Sequence, residues 1–256
     1  MAVLNWDHTM INVRDVDEAA KFFGDHGIVF VRGGRHERWG TENALGYFGL
    51  NYIELLSVYD NDRVKHFSRA DASAVYDAVQ DYNRNVQRIN TIAIRTTDIK
   101  ETHDRLKKAG INVGTVEEGQ RLDEQGHLIT WSIFFIDDTI DGLPYPFFIQ
   151  WQGSDQERKQ KLIEQGLIVQ HPAGDLGVRQ AVFHVPDPEK VAEIWGELVE
   201  SSPEQTDIGY QVPLGDRQLI FKQGTENHVV QLTFEGAGDQ LKKQELTLDH
   251  IKFSFN

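Results

Sequence analysis

One order of segments recurs along the chain and restricts its fold more than any single motif does. Between Leu4 and Val58 a strand-like run leads into an amphipathic helix and then three more strand-like runs. The order returns from Arg88, and again from the run VRQAVFHV. In the first run alternation puts Trp6, His8, Met10 and Asn12 on one face and Asp7, Thr9, Ile11 and Val13 on the other. Asp15 is placed to cap the helix, whose apolar stripe is Val16, Ala19, Ala20 and Phe23, and Gly27 ends it. Ile28 to Val31 is the second strand, broken by Gly33 and Gly34. Ala44 to Phe48 and Asn51 to Val58 are the third and fourth. Tyr52, Glu54 and Leu56 share a face of the fourth, so a carboxylate sits among large apolar groups. That is costly unless it is paired or metal-bound.

Residues 59–87 form a polar connection carrying one helix, from about Asp71 to Tyr82. In the second unit the alignment sets Ile89 opposite His8 and Gln150 opposite Glu54. In the third unit Pro188 opens a helix with Val191, Trp195 and Leu198 on one face. Three strands follow it, ending in HVVQLTF, so that Gln180 and Gln231 take the positions of His8 and Glu54. The terminal run LTLDHIKFSFN, with Asp249 and His250 echoing Asp7 and His8, is either the opening strand of an incomplete fourth unit or an edge strand. Three successive strands after each helix need antiparallel hairpins, so the fold class is α+β rather than a doubly wound parallel sheet. The expected division is a paired domain over 1–155, with units at about 4–58 and 88–152, and a third unit with its terminal strand over 156–256.

A chain of 256 residues, 39% apolar, can bury a sizeable core. Its net charge of −14 argues against a nucleic-acid partner. No run of about 18 apolar residues exists to span a membrane, and MAVLNWDHTM has neither the basic nor the apolar part of a secretion signal. Cysteine is absent, which excludes disulfides and thiolate chemistry. A cytoplasmic protein, monomeric or homodimeric, is expected. No P-loop, dinucleotide glycine fingerprint, GxSxG or HExxH occurs.

The motifs GGRHERWGTEN (Gly33 to Asn43), YIEL (Tyr52 to Leu55), RLDEQGHLITW (Arg121 to Trp131), PYPFFIQW (Pro144 to Trp151) and HPAG (His171 to Gly174) carry a resemblance. With the His8 strand they cover residues 5 to about 175. The chain resembles the glyoxalase-like domain proteins of the vicinal oxygen chelate superfamily, which includes glyoxalase I, extradiol dioxygenases and bleomycin-binding proteins. The resemblance implies repeated βαβββ units whose sheets curl into a cup. It also implies a single divalent metal (Zn, Ni, Mn or Fe) held by the first and last strands of two units. Carried over by position, His8, Glu54 and Gln150 are the metal ligands, and Ile89 stands where a further His or Gln is expected.

Each candidate has two readings. His8 is a metal ligand, or a buried imidazole bonded to a carbonyl or to Glu54. Glu54 acts in the cup, or pairs with Arg38 or Arg121. His36 replaces the missing ligand or serves as general base, or else faces solvent. Thr41 and Asn43 form a turn, with substrate contact as the second reading for both. Trp131 and Phe148 stack on a substrate, or pack the core. Arg121 pairs with a substrate carboxylate, or closes a salt bridge. Two functions follow. One is a metal-dependent lyase, isomerase or dioxygenase acting on a small oxygenated metabolite. The other is a non-catalytic small-molecule binding protein of the bleomycin-resistance type.

Overall fold

The structure is a computed structural model that describes residues 2–122, 126 and 128–256, the side chains of Arg121 and Leu122 excepted. The first unit is β1 (Leu4–Asn12), α1 (Val16–Gly24), β2 (Val31–His36), β3 (Thr41–Phe48) and β4 (Asn51–Val58). Asp15 caps α1 by accepting from the amides of Asp17 and Glu18. A connection carrying α2 (Ser73–Asn83) leads to the second unit. That unit is β5 (Arg88–Thr96), α3 (Ile99–Lys108), β6 (Glu117–Leu122), β7 (Leu128–Phe134), a small hairpin of β8 (Thr139–Ile140) with β9 (Leu143–Pro144), and β10 (Phe147–Trp151). After α4 (Asp155–Glu164) come β11 (Gly174–Val185), α5 (Pro188–Val199), β12 (Glu204–Thr206), β13 (Gly209–Leu214) and β14 (Arg217–Gln223). The chain then runs through β15 (His228–Ala237), β16 (Glu245–Leu248) and β17 (Ile251–Phe255).

The first and last long strands of each unit lie side by side and parallel: β1 on β4, β5 on β10, β11 on β14. The helix makes each such crossover, and the hairpins fall outside it. β1 pairs antiparallel with β5, giving one curled sheet in the order β2-β3-β4-β1-β5-β10-β7-β6. β11 pairs antiparallel with β15 in the same manner, and β15 lies parallel to β17, which pairs with β16. The two halves join through β15 and β5 at Val229 and Ile89. The fold is therefore mixed α+β with an open sheet. HVVQLTF is not the closing strand of the third unit. β14 has that place, and β15 opens the following group of strands, so Gln231 is no counterpart of Glu54. Gln231 bonds Ser254 on β17 instead.

Gly33 and Gly34 lie inside β2, at a shift in its register with β3. They do not break the strand. A β-carbon on Gly33 would stand 2.2 Å from Asn43 Oδ1, so glycine lets the two strands close on each other. The main core lies between sheet and helices and contains Phe23, Phe134, Phe148, Trp195 and Phe253. A second cluster fills part of the concave side, where Val75 and Ala78 of α2 meet Met10, Ile133 and Phe147. The connecting helix thus narrows the cup. Among the described residues no helix is long and apolar enough to cross a membrane.

Candidate functional site

His8 sits on β1 just past a bulge. Trp6 pairs with Ile94 and His8 with Ala93, leaving Asp7 as the extra residue. The bulge has two consequences. Trp6 turns into the main core and away from the face it was expected to share with His8. The Asp7 carboxylate comes within 2.9 Å of His8 Nδ1. Asp7 is wholly buried and also accepts from Arg95, Arg158 and the Trp151 indole at 3.1 to 3.2 Å. Burial works to raise its carboxyl pKa, but Arg158, His8 and Arg95 outweigh burial and hold it well below the ordinary range.

The other imidazole nitrogen, Nε2, faces Glu54 Oε2 at 3.5 Å. The His8 ring stacks on Tyr52 with centroids 4.4 Å apart, and Phe147 meets it edge-on. Asn43 donates to Glu54 Oε1 at 2.6 Å, and His36 Nε2 lies 4.0 Å from the same oxygen. Burial would raise the Glu54 pKa, but the bond with His8, the charges of His8 and His36 and the Asn43 bond lower it to about 2. Burial would lower the His8 pKa, but its bonds to Asp7 and Glu54 raise it above 6.5. Both shifts act in the same sense, favouring an imidazolium that faces a carboxylate.

The cup that holds this pair has a volume of about 90 Å³. His8, His36, Asn43, Glu54 and Trp131 all line it, so five of the residues singled out from sequence come together. Trp131 tilts against Trp151 at 5.7 Å. Among the described residues two polar atoms of the cup lining are buried without a hydrogen-bond partner, Asn43 Oδ1 and Trp39 Nε1. Arg38 pairs with Glu117 at 2.7 Å and not with Glu54.

Two candidates lie elsewhere. Gln150 Oε1 accepts from the Ile99 amide at 2.8 Å and its Nε2 donates to the Thr97 carbonyl, so Gln150 caps the start of α3 on the side away from the cup. Phe148 is fully buried in the main core, stacked on Phe134. Phe147, Ile149 and Trp151 are the cup-facing members of β10. Placing Gln150 opposite Glu54 was thus one residue out of step, and one step along a strand reverses the face. The side chain of Arg121 lies outside the described residues. Sequence reasoning missed Asp7, Arg95, Arg158, Trp39 and Trp151. The acidic neighbour of His8 was the one visible signal, and alternation pointed it the wrong way.

A metal held between two units needs donors from both. On β4 the residue beside His8 is Tyr52, two before Glu54. On β10 the residue beside Ala93 is Phe147, two before Ile149. Ala93 and Ile149 are therefore the counterparts of His8 and Glu54, and neither can donate. Ile89 is a core residue paired with Ile11. Among the described residues no group of three or more His, Cys, Asp or Glu is spaced to hold a metal ion. The donors present do not fit the two-sided metal site.

Paired parallel-crossover units around such a cup define a protein of the vicinal oxygen chelate superfamily. The family model for the glyoxalase-like domain matches residues 6–199, and the chain belongs to that family. No curated protein matches the chain. A hypothetical protein from Staphylococcus aureus has the same fold, with a TM-score of 0.86, 22% identity, and 99% of each chain covered. A Mn(II)-bound glyoxalase from Novosphingobium aromaticivorans matches with a TM-score of 0.53 and 13% identity, over 94% of this chain and 69% of that one. A mutant 4-hydroxymandelate synthase from Streptomyces coelicolor matches with a TM-score of 0.53 and 12% identity, over 92% and 71%.

Proposed function

We propose that the cup takes the oxygenated end of a small metabolite and moves a proton on it, in isomerase or lyase chemistry run by His8 and Glu54. The observation that carries this reading is the buried chain Asp7–His8–Glu54, in which an imidazole is held between two carboxylates. Glu54 takes a proton from a carbon next to a carbonyl. The C–H electrons move into the enolate, and His8 Nε2–H protonates or hydrogen-bonds its oxygen. A ligand that parts Glu54 from His8 and Asn43 removes what holds its pKa low, and so strengthens it as a base. Asp7 fixes the ring and supports its positive charge, while Trp39 Nε1 is left to donate to the ligand.

The test is to incubate the protein in D2O with a panel of α-hydroxyketones and 2-oxo acids and follow the C–H signals by proton NMR. Protein-dependent loss of one signal, abolished in His8→Ala, is the expected result. A panel member that binds without any exchange would replace this reading with a second one, a binding protein that sequesters its ligand. The apolar lining of Ile133, Phe135, Phe147 and Ile149 around the cup favours that alternative.

A further inference from the structure

The cup, at about 90 Å³, is small beside a groove of about 490 Å³ that adjoins it. Tyr47 and Trp151 line both, so the two spaces meet at those rings. One side of the groove is β7, offering Leu128 and Ile129, and the other is α4, offering Leu162, Arg158 and Lys161. Leu128 is 59% exposed and extends the apolar strip of Ile129 and Leu162 to the surface. Arg158 lies under Trp151, its guanidinium 4.3 Å from the ring, and among the described residues only Asp7 forms an ion pair with it. Lys161 is exposed and has no ion-pair partner among the described residues. Of the carboxylates on α4, Glu164 accepts from Gln160 at 2.9 Å, and Glu157, which feels the Lys161 charge, is tied to Ser154 in the cap of the helix.

A net charge of −14 repels anions from most of this surface, so two cations beside an apolar strip form a local exception. Building on the reading of the cup given above, we infer that the groove holds the rest of the same ligand: an aliphatic arm ending in an anionic group. The oxygenated head enters the cup, the arm crosses Trp151 and lies along Leu128, Ile129 and Leu162, and a carboxylate or phosphate ends at Lys161 and the free edge of Arg158. The ligand class is thus an amphipathic acid longer than the cup can enclose, bound by apolar contact along its length and by charge at its tail.

The test uses decanoate, decyl phosphate and decanol as probes, with binding read by calorimetry and by quenching of tryptophan fluorescence, on the full chain and on Lys161→Glu. Lys161 is exposed on α4, so the variant keeps its fold, checked by an unchanged thermal midpoint. The expected result is that an acid binds more tightly than the alcohol, and that Lys161→Glu weakens it at least tenfold while leaving decanol unchanged. Whichever of decanoate and decyl phosphate binds tighter identifies the anion. Equal binding of acid and alcohol, or no change in Lys161→Glu, overturns the inference. The deuterium exchange assay separates the two claims. Exchange without Lys161-dependent binding leaves the cup reading standing alone, and Lys161-dependent binding without exchange leaves the groove standing alone.

Discussion

His8 and Glu54 face each other at 3.5 Å from adjacent parallel strands, although the residue in register with Glu54 is Met10. The imidazole stacks flat on Tyr52, its true neighbour, and reaches diagonally along β4 to the carboxylate. Such a diagonal pair can open without breaking the sheet, because no backbone hydrogen bond depends on it.

Glu54→Gln removes one of the two carboxylates around a buried imidazolium. Breaking a buried pair from one side leaves an uncompensated charge, so the variant should lose about 3 kcal/mol in urea unfolding at pH 6. It should also lose deuterium exchange. His8→Ala/Glu54→Gln should cost less than the sum of the single changes.

Gly33→Ala pushes a methyl group into Asn43 Oδ1, 2.2 Å away, and into the Leu45 side chain. Asn43 then loses its hold on Glu54. The expected cost is about 2 kcal/mol in thermal unfolding. Gly24→Ala is the control, since nothing lies within 4 Å of its added carbon and α1 gains a better helix former; it should be neutral or stabilising by about 0.5 kcal/mol.

Gln150→Ala should cost about 1 kcal/mol, because the Ile99 amide at the start of α3 loses its acceptor. Ligand binding and exchange should be unchanged. An effect on ligand affinity larger than on stability would return Gln150 to the cup.

The pH dependence of stability should have opposing parts. Glu54, lowered from 4.5 to about 2, contributes stability that is present above 4.5 and lost as pH falls toward 2. His8, raised above 6.5, contributes stability that is complete below 6.5 and lost as pH rises through its folded value. His228 acts the other way. Burial and the Arg88 charge lower it from 6.5 to about 4, so stability falls as pH drops from 6.5 toward 4. Between those values His228→Gln should flatten the slope in urea midpoints, and His8→Gln should flatten the decline above 6.5.

The architecture was legible because each unit repeats the same order of apolar periods, and a helix followed by three strands has few ways to fold. His8, Glu54 and Trp131 were legible because strand alternation, once in phase, fixes a face; His36 and Asn43 were marked only by the GGRHERWGTEN motif, and Asn43 lies on β3 rather than in the expected turn. The phase was lost at two places. Asp7 bulges out of β1, which alternation cannot register, and so the carboxylate that holds His8 was hidden. On β10, an alignment one residue out of step moved Gln150 into the cup in place of Ile149 and Phe148 in place of Phe147. Arg158 and Arg95 were out of reach for another reason: they arrive from α4 and from β5, the neighbouring strand but, at Arg95, 88 residues on from Asp7 in sequence, contacts that no local pattern encodes. The role of β15 escaped because it follows β14 in sequence, as a closing strand would, yet pairs with β11.

The most direct measurement is an NMR titration of the His8 imidazole, assigned by its disappearance in His8→Gln. With Asp7 on one nitrogen and Glu54 facing the other, the expected midpoint lies above 6.5 and falls in Glu54→Gln. A midpoint at or below 6.5, or one that Glu54→Gln leaves in place, would contradict the account.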